Sequence, residues 1–157
     1  MMEVVLKTLL YLYPSLKYNK DGLERLANRK ALRSCCDNSK TMQQINEIIK
    51  INGQIRKIEE LEECVNLLLD HLSNEERIAI SYKYFNKSLK GISEFSLRSY
   101  YRYLKRAFDK LLIVAKEKDL SPFWLKSNYG DIYFVSFTYR RLLKKSELEK
   151  QSLPAAQ

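Results

Sequence analysis

Ser96 to Leu112 reads SLRSYYRYLKRAFDKLL, and its apolar and basic residues sort onto opposite faces of one helix. At the helical period Tyr100, Leu104, Ala107 and Leu111 form a single stripe, with Leu97 and Phe108 on its flank. Arg98, Arg102 and Lys105 project from the reverse side. Ser96 is a good N-cap, because its hydroxyl can accept from a free amide of the first turn, so the helix starts there and shows that turn outward. The first exposed side chains are then Arg98, Ser99, Tyr101 and Arg102. These residue types suit a duplex. Arginine reaches the O6 and N7 acceptors of guanine with two donors, and lysine, serine and tyrosine supply donors to phosphate oxygens. An amphipathic helix whose polar face is merely solvated has the same pattern.

Charge distribution favours the first of these. The chain has 28 Lys plus Arg against 19 Asp plus Glu, a net charge of +9. Residues 73 to 116 hold 10 basic and 4 acidic side chains, so +6 of the +9 sits on the segment with this helix. A local positive field attracts a polyanion and gives salt-dependent affinity through counterion release. A membrane surface is the other common acidic partner. It is disfavoured because the apolar stripe is of the core-facing kind and the chain has no lipidation signal.

Upstream, LSNEERIAISYKYF (72–85) carries Ser73 and Glu76 at the spacing of a capping box, in which each side chain satisfies a free backbone donor of the other residue. Ile78, Tyr82 and Phe85 then form an expected inward stripe that holds the following helix in place. Taken together, Leu72, Ser73, Glu76, Arg77, Tyr84 and Phe85, then Arg106, Ala107, Phe108, Lys110 and Leu111, resemble region four of bacterial sigma factors and the sigma-like regulators of phages. The run Tyr100 to Arg102 is similar to phage late-gene transcription regulators of the ArpU kind. The resemblance covers about 45 of the 157 residues. It implies a helix-turn-helix that reads promoter DNA, with RNA polymerase as a second partner. The chain departs from the family between Phe85 and Ser96, where NKSLKGISEF (86–95), with Gly91 in its middle, is about one turn short of a complete first helix. That helix is therefore expected to be shortened, with Ile92 and Phe95 still capping the core.

The N-terminal half reads as a scaffold. MMEVVLKTLLYLYP (1–14) is a helix and not a signal peptide, since it has an acidic start and no small-residue cleavage site. After Pro14 a polar segment with short helical patterns leads into a long periodic run from Thr41 to Leu72. There Ile45, Ile48, Ile51, Ile55, Ile58, Leu61, Val65, Leu68 and Leu72 recur at spacings of three and four. Gly53 weakens its middle. A helix of about 30 residues, about 45 Å long, needs a long partner. Either it folds back on the N-terminal helices or it pairs with a second copy as a coiled coil, which would give two reading heads for two half-sites. Glu59, Glu60, Glu62 and Glu63 lie on its outer face.

Toward the C-terminus, Ser121 caps a helix with Pro122 in its first turn, and Asn128 to Gly130 form a turn. DIYFVSFTYRRLLKK (131–145) has strand-like composition, yet Ile132, Val135, Tyr139 and Leu142 fit a helix stripe and a lone strand would lack a partner. Its end carries Arg140, Arg141, Lys144 and Lys145, followed by KQSLPAAQ (150–157) as a loose tail.

With only 4 Gly and 3 Pro the chain reads as mainly helical, and no apolar run approaches the roughly 18 residues of a bilayer span. Cys35, Cys36 and Cys64 have neither a disulfide framework nor zinc-ligand spacing, and His71 sits at a helix end where it complements the dipole. There is no phosphate loop, histidine pair or nucleophile elbow, which disfavours an enzyme. The expected protein is all-α and cytoplasmic. It has a long helical scaffold (1–72), a sigma region four-like helix-turn-helix with a shortened first helix (73–116) and a C-terminal helical extension and tail (117–157). Its expected partner is double-stranded DNA, held by Ser96, Arg98, Ser99, Tyr101, Arg102 and Lys105, with Arg106 on the backbone and no cofactor, metal or catalytic residue. The alternative is a protein-interaction adaptor or anti-activator that keeps the sigma-like shape.

Overall fold

The computed structural model describes residues 1–35, 41–86 and 96–152. Among them the secondary structure is entirely helical: α1 (Met2–Ser34), α2 (Thr41–Leu69), α3 (Asn74–Tyr84), α4 (Leu97–Glu117), α5 (Pro122–Tyr129) and α6 (Tyr133–Ser152). The chain divides into two compact units, residues 13–64 and residues 1–12 with 65–157.

In the unit 13–64 the second half of α1 and most of α2 run antiparallel. Lys20 meets Glu59 at 3.4 Å, and Lys30 pairs with Glu47. Leu16, Ile51, Ile58 and Leu61 are buried. The long helix thus folds back on its own chain, the first of the two alternatives. Its seam opens toward the N-terminal end of α2, where Ile45 is 39% exposed. Gly53 stays inside the continuous helix with open space at its Cβ position.

The polar segment after Pro14 is not a series of short helices. α1 runs through Pro14 as one helix of 33 residues. An interior proline forfeits one hydrogen bond and crowds the carbonyl four residues back, at a cost of about 3 kcal/mol. Leu9, Leu10 and Leu12 before it and Leu16 after it are all buried, and this burial outweighs the local preference.

The other unit has a core of Val5, Leu6 and Leu9 from α1, Leu68 from α2, Ile80 from α3, Leu111 from α4, Leu125 from α5 and Val135 from α6. Ser121 caps α5 by accepting from the Trp124 amide at 3.2 Å, with Pro122 opening the helix. Asn128 and Tyr129 belong to α5, so the turn begins at Gly130 and not at Asn128. A Cβ on Gly130 would lie 2.4 Å from the Lys126 carbonyl oxygen, which explains the glycine there. The strand-like segment is helical, with Ile132, Val135 and Tyr139 buried and Leu142 half-buried. α6 continues to Ser152, so residues 150–152 of the expected tail are helical; residues 153–157 lie outside the described residues.

α4 ends in a Schellman motif. The Leu120 amide donates to Ala115 at 2.9 Å and the Asp119 amide to Lys116 at 3.1 Å, which places Asp119 at φ 50° and buries Leu120 behind the turn. That left-handed position favours glycine, and aspartate tolerates it at a cost. Asp119→Gly is therefore expected to stabilise the protein by about 0.5 to 1 kcal/mol, read as a higher urea midpoint with an unchanged slope.

Candidate nucleic-acid interface

α3 and α4 pack on one another, and a single carboxylate fixes how. Ser73 caps α3 by accepting from the Glu76 amide at 3.4 Å, and Glu76 Oε2 accepts from the Ser73 amide at 3.0 Å, completing the capping box. The same Oε2 accepts from Lys110 Nζ of α4 at 2.8 Å. Glu76 is only 2% exposed. Burial alone would push its carboxyl up. The Lys110 ammonium, the Ser73 amide and the nearby Arg106 charge outweigh that and hold it below the ordinary 4.5. Next to it, Arg77 donates to the Leu69 carbonyl at 2.9 Å and to Asp70 Oδ1 at 3.0 Å, closing the end of α2.

Glu76 sets the phase of α3. The buried face carries Glu76, Ala79, Ile80 and Tyr84, whereas Ile78 and Tyr82 are 36% and 42% exposed and Phe85 is the half-buried C-cap. The expected stripe of Ile78, Tyr82 and Phe85 is therefore corrected. A face that begins with a glutamate is invisible to a count of apolar residues. Tyr84 packs its ring edge-on to Tyr11 at 4.8 Å, and burial chiefly pushes its phenol up to about 12.

α4 matches the sequence reading more closely. Tyr100, Ala107 and Leu111 are buried, Leu104 is half-buried, and Val114 and Ala115 extend the stripe. Phe108 is half-buried, with the Lys7 ammonium 5.6 Å from its ring centre. Leu97, expected on the flank of the stripe, is 73% exposed: it occupies the first helical position, and the buried stripe begins only at Tyr100. Ser96 caps the helix by accepting from the Ser99 amide at 3.2 Å, and its hydroxyl donates to Ser99 Oγ at 3.0 Å. Ser99 is accordingly half-buried in the cap and not one of the exposed residues.

Arg98, Tyr101, Arg102, Lys105 and Arg106 are all exposed. The Arg102 guanidinium lies over the Tyr103 ring at 5.2 Å, and Tyr101 meets Tyr100, which in turn meets Tyr82, in edge-on contacts of 5.2 and 5.4 Å. This row of rings gives the start of α4 a firm base. The exposed Asp109 follows Lys105 one turn on and ends the basic run. The face can therefore present an arginine pair, a lysine and a phenol to phosphates or base edges over its first three turns. The shortened helix before it, with Gly91, Ile92 and Phe95, falls on residues 87–95 and lies outside the described residues.

No model of a known protein family, no curated protein and no solved structure matches this chain. Among the described residues no group of histidine, cysteine and acidic side chains could hold a metal ion, and no helix is long and apolar enough to cross a membrane. Cys35 and Cys64 are not joined in a disulfide, and Cys36 lies outside the described residues. His71 Nδ1 sits 2.8 Å from the Leu67 carbonyl just past the end of α2. Sequence reasoning found the cap at Glu76 but missed its second partner, Lys110, 34 residues away. The one available signal was a glutamate at the third helical position of a segment otherwise bound to be buried.

A carboxyl held below its unfolded value stabilises the fold above that value, and the contribution is lost as pH falls through the folded one. Glu76→Gln should lower stability at neutral pH by about 1 to 2 kcal/mol. Its melting temperature should also fall less steeply than that of the wild type as pH drops below 4.5, measured by thermal circular dichroism.

Proposed function

We propose that this protein is a DNA-binding transcription regulator whose α4 acts as the reading helix of a sigma region four-like helix-turn-helix. The observation that carries the proposal is that Arg98, Tyr101, Arg102 and Lys105 are exposed together at the start of a helix whose opposite face is buried. In helix-turn-helix proteins the N-terminal residues of the second helix contact base edges, and this end of α4 holds the arginine pair. Arg98 and Arg102 would take guanine edges or phosphates, Lys105 and Tyr101 phosphates, and Arg106 the backbone at the margin. Ser96 and Ser99 would act through the cap that fixes the first turn. The resemblance to sigma region four adds RNA polymerase as a second partner and a cytoplasmic setting.

A second reading, a protein-interaction adaptor on the same scaffold, draws on the unit 13–64. There Leu26, Leu32, Met42, Ile45 and Ile49 are exposed at 37%, 71%, 71%, 39% and 62%. Met42, Ile45 and Ile49 recur at spacings of three and four on α2, the pattern of a helix-pairing seam, and pairing through them would make a homodimer.

Fluorescence anisotropy with a 30-base-pair random duplex over a salt series separates the readings. Wild type should bind with micromolar affinity that falls with salt, with a log–log slope of about −3 for three neutralised phosphates. Arg98→Glu with Arg102→Glu should abolish binding with only a small change in melting temperature, since both side chains are exposed and the contact of Arg102 with the Tyr103 ring lies at the surface. Absence of wild-type binding at low salt would overturn the regulator reading and leave the adaptor.

A further inference from the structure

α5 and α6 enclose a groove of about 470 Å³, in the range that small organic ligands occupy. Leu125, Val135 and Leu143 supply apolar walls, and Tyr139 lines the groove beside them. Tyr139 is only 3% exposed, and its hydroxyl is buried with no hydrogen-bond partner. Water does not reach this oxygen, so the folded protein bears the cost of a desolvated, unsatisfied donor. Lys126 and Arg140, both exposed, also line the groove, and the Lys126 ammonium lies 5.9 Å from the centre of the Tyr139 ring. Among the described residues no carboxylate lines it. The neighbouring Ser136 hydroxyl is already committed to the Tyr133 carbonyl at 3.0 Å.

We propose that this groove is a binding site for a small organic monocarboxylate with an apolar body, which seats its chain against Leu125, Val135 and Leu143 and its carboxylate on the Tyr139 hydroxyl between Lys126 and Arg140. The chemistry selects that class on three grounds. Apolar walls exclude a ligand polar throughout, such as a sugar or inorganic phosphate, whose remaining oxygens would find no donors. Two cations with no facing carboxylate select an anion over an amine. A neutral phenol can only donate to a carboxylate, and this completes the hydrogen bond that Tyr139 lacks in the free protein. Because the hydroxyl is buried, binding requires the side chains that cover it to part. The site is independent of the α4 face, so its fate does not depend on the DNA-binding proposal.

Octanoate is a suitable probe, with 1-octanol and octylamine as neutral and cationic counterparts of the same length. Isothermal titration of the full chain should show octanoate binding at least about tenfold more tightly than either. Tyr139→Phe should weaken octanoate about tenfold, yet leave the melting temperature of the free protein unchanged or raised, because the deleted hydroxyl has no partner to lose. The double variant Lys126→Gln, Arg140→Gln changes only exposed side chains. It should bring octanoate down to the affinity of octanol, and it provides the same test should Tyr139→Phe fail to fold. Absence of octanoate binding at millimolar concentration, equal binding of octanol, or wild-type affinity in a folded Tyr139→Phe or double variant would overturn the proposal.

Discussion

The arrangement around α4 depends on one oxygen, Oε2 of Glu76, which accepts from the Ser73 amide and from Lys110 at the same time. The first bond starts α3 and the second ties it to α4, so the cap of one helix and its docking on the next are a single interaction. A buried carboxylate is tolerated only when its charge and lone pairs are answered. Here a lysine whose side chain is 45% exposed supplies the charge while keeping part of its hydration. The pair is consequently less costly than a fully enclosed one. It also specifies rotation: turning α3 by one residue would bury Arg77 against the like charge of Lys110, or Glu75, which stands one position short of the capping box.

This explains which parts of the fold could be read from the sequence. Caps are local chemistry, and Ser73, Ser96 and Ser121 each mark the helix start that the sequence indicates. α4 was legible from Tyr100 onward because its faces differ so sharply that only one phase is consistent with burial, while Leu97 and Ser99 in its first turn were not. α3 was not, because its buried face carries a charged residue whose partner lies on another helix. α1 was misread for the converse reason. Pro14 is a strong local stop signal, yet the leucines on either side of it are buried, and long-range packing overrode the local preference.

The candidate site divides in the same way. Exposure of Arg98, Tyr101, Arg102 and Lys105 follows from periodicity and needed no structure to foresee. The half-burial of Ser99 does not, because a cap hydroxyl can either take the amide alone or also engage its neighbour, and Ser96 does both. The groove at Tyr139 was beyond sequence reading altogether. An unsatisfied phenol is a property of what surrounds it, and the strand-like composition of 131–145 drew attention to secondary structure instead.

The positive charge of residues 73 to 116 overstates what this segment offers a partner. Arg77 is spent on the end of α2 and Lys110 on Glu76. On the exposed face at the start of α4 this leaves Arg98, Arg102 and Lys105, with Arg106 at the margin and Asp109 closing the run. Three cations release about three counterions, which supports weak, salt-sensitive binding and little more. A regulator built this way needs a second attachment to hold one site among many, either another copy offering a second face or a polymerase that is itself on DNA. Linking two weak contacts raises the effective concentration of each, and the combined affinity can exceed either by orders of magnitude without any new contact. Partnership is therefore part of the DNA-binding proposal itself, because the cations that hold α4 in place are the ones it cannot also present to a duplex.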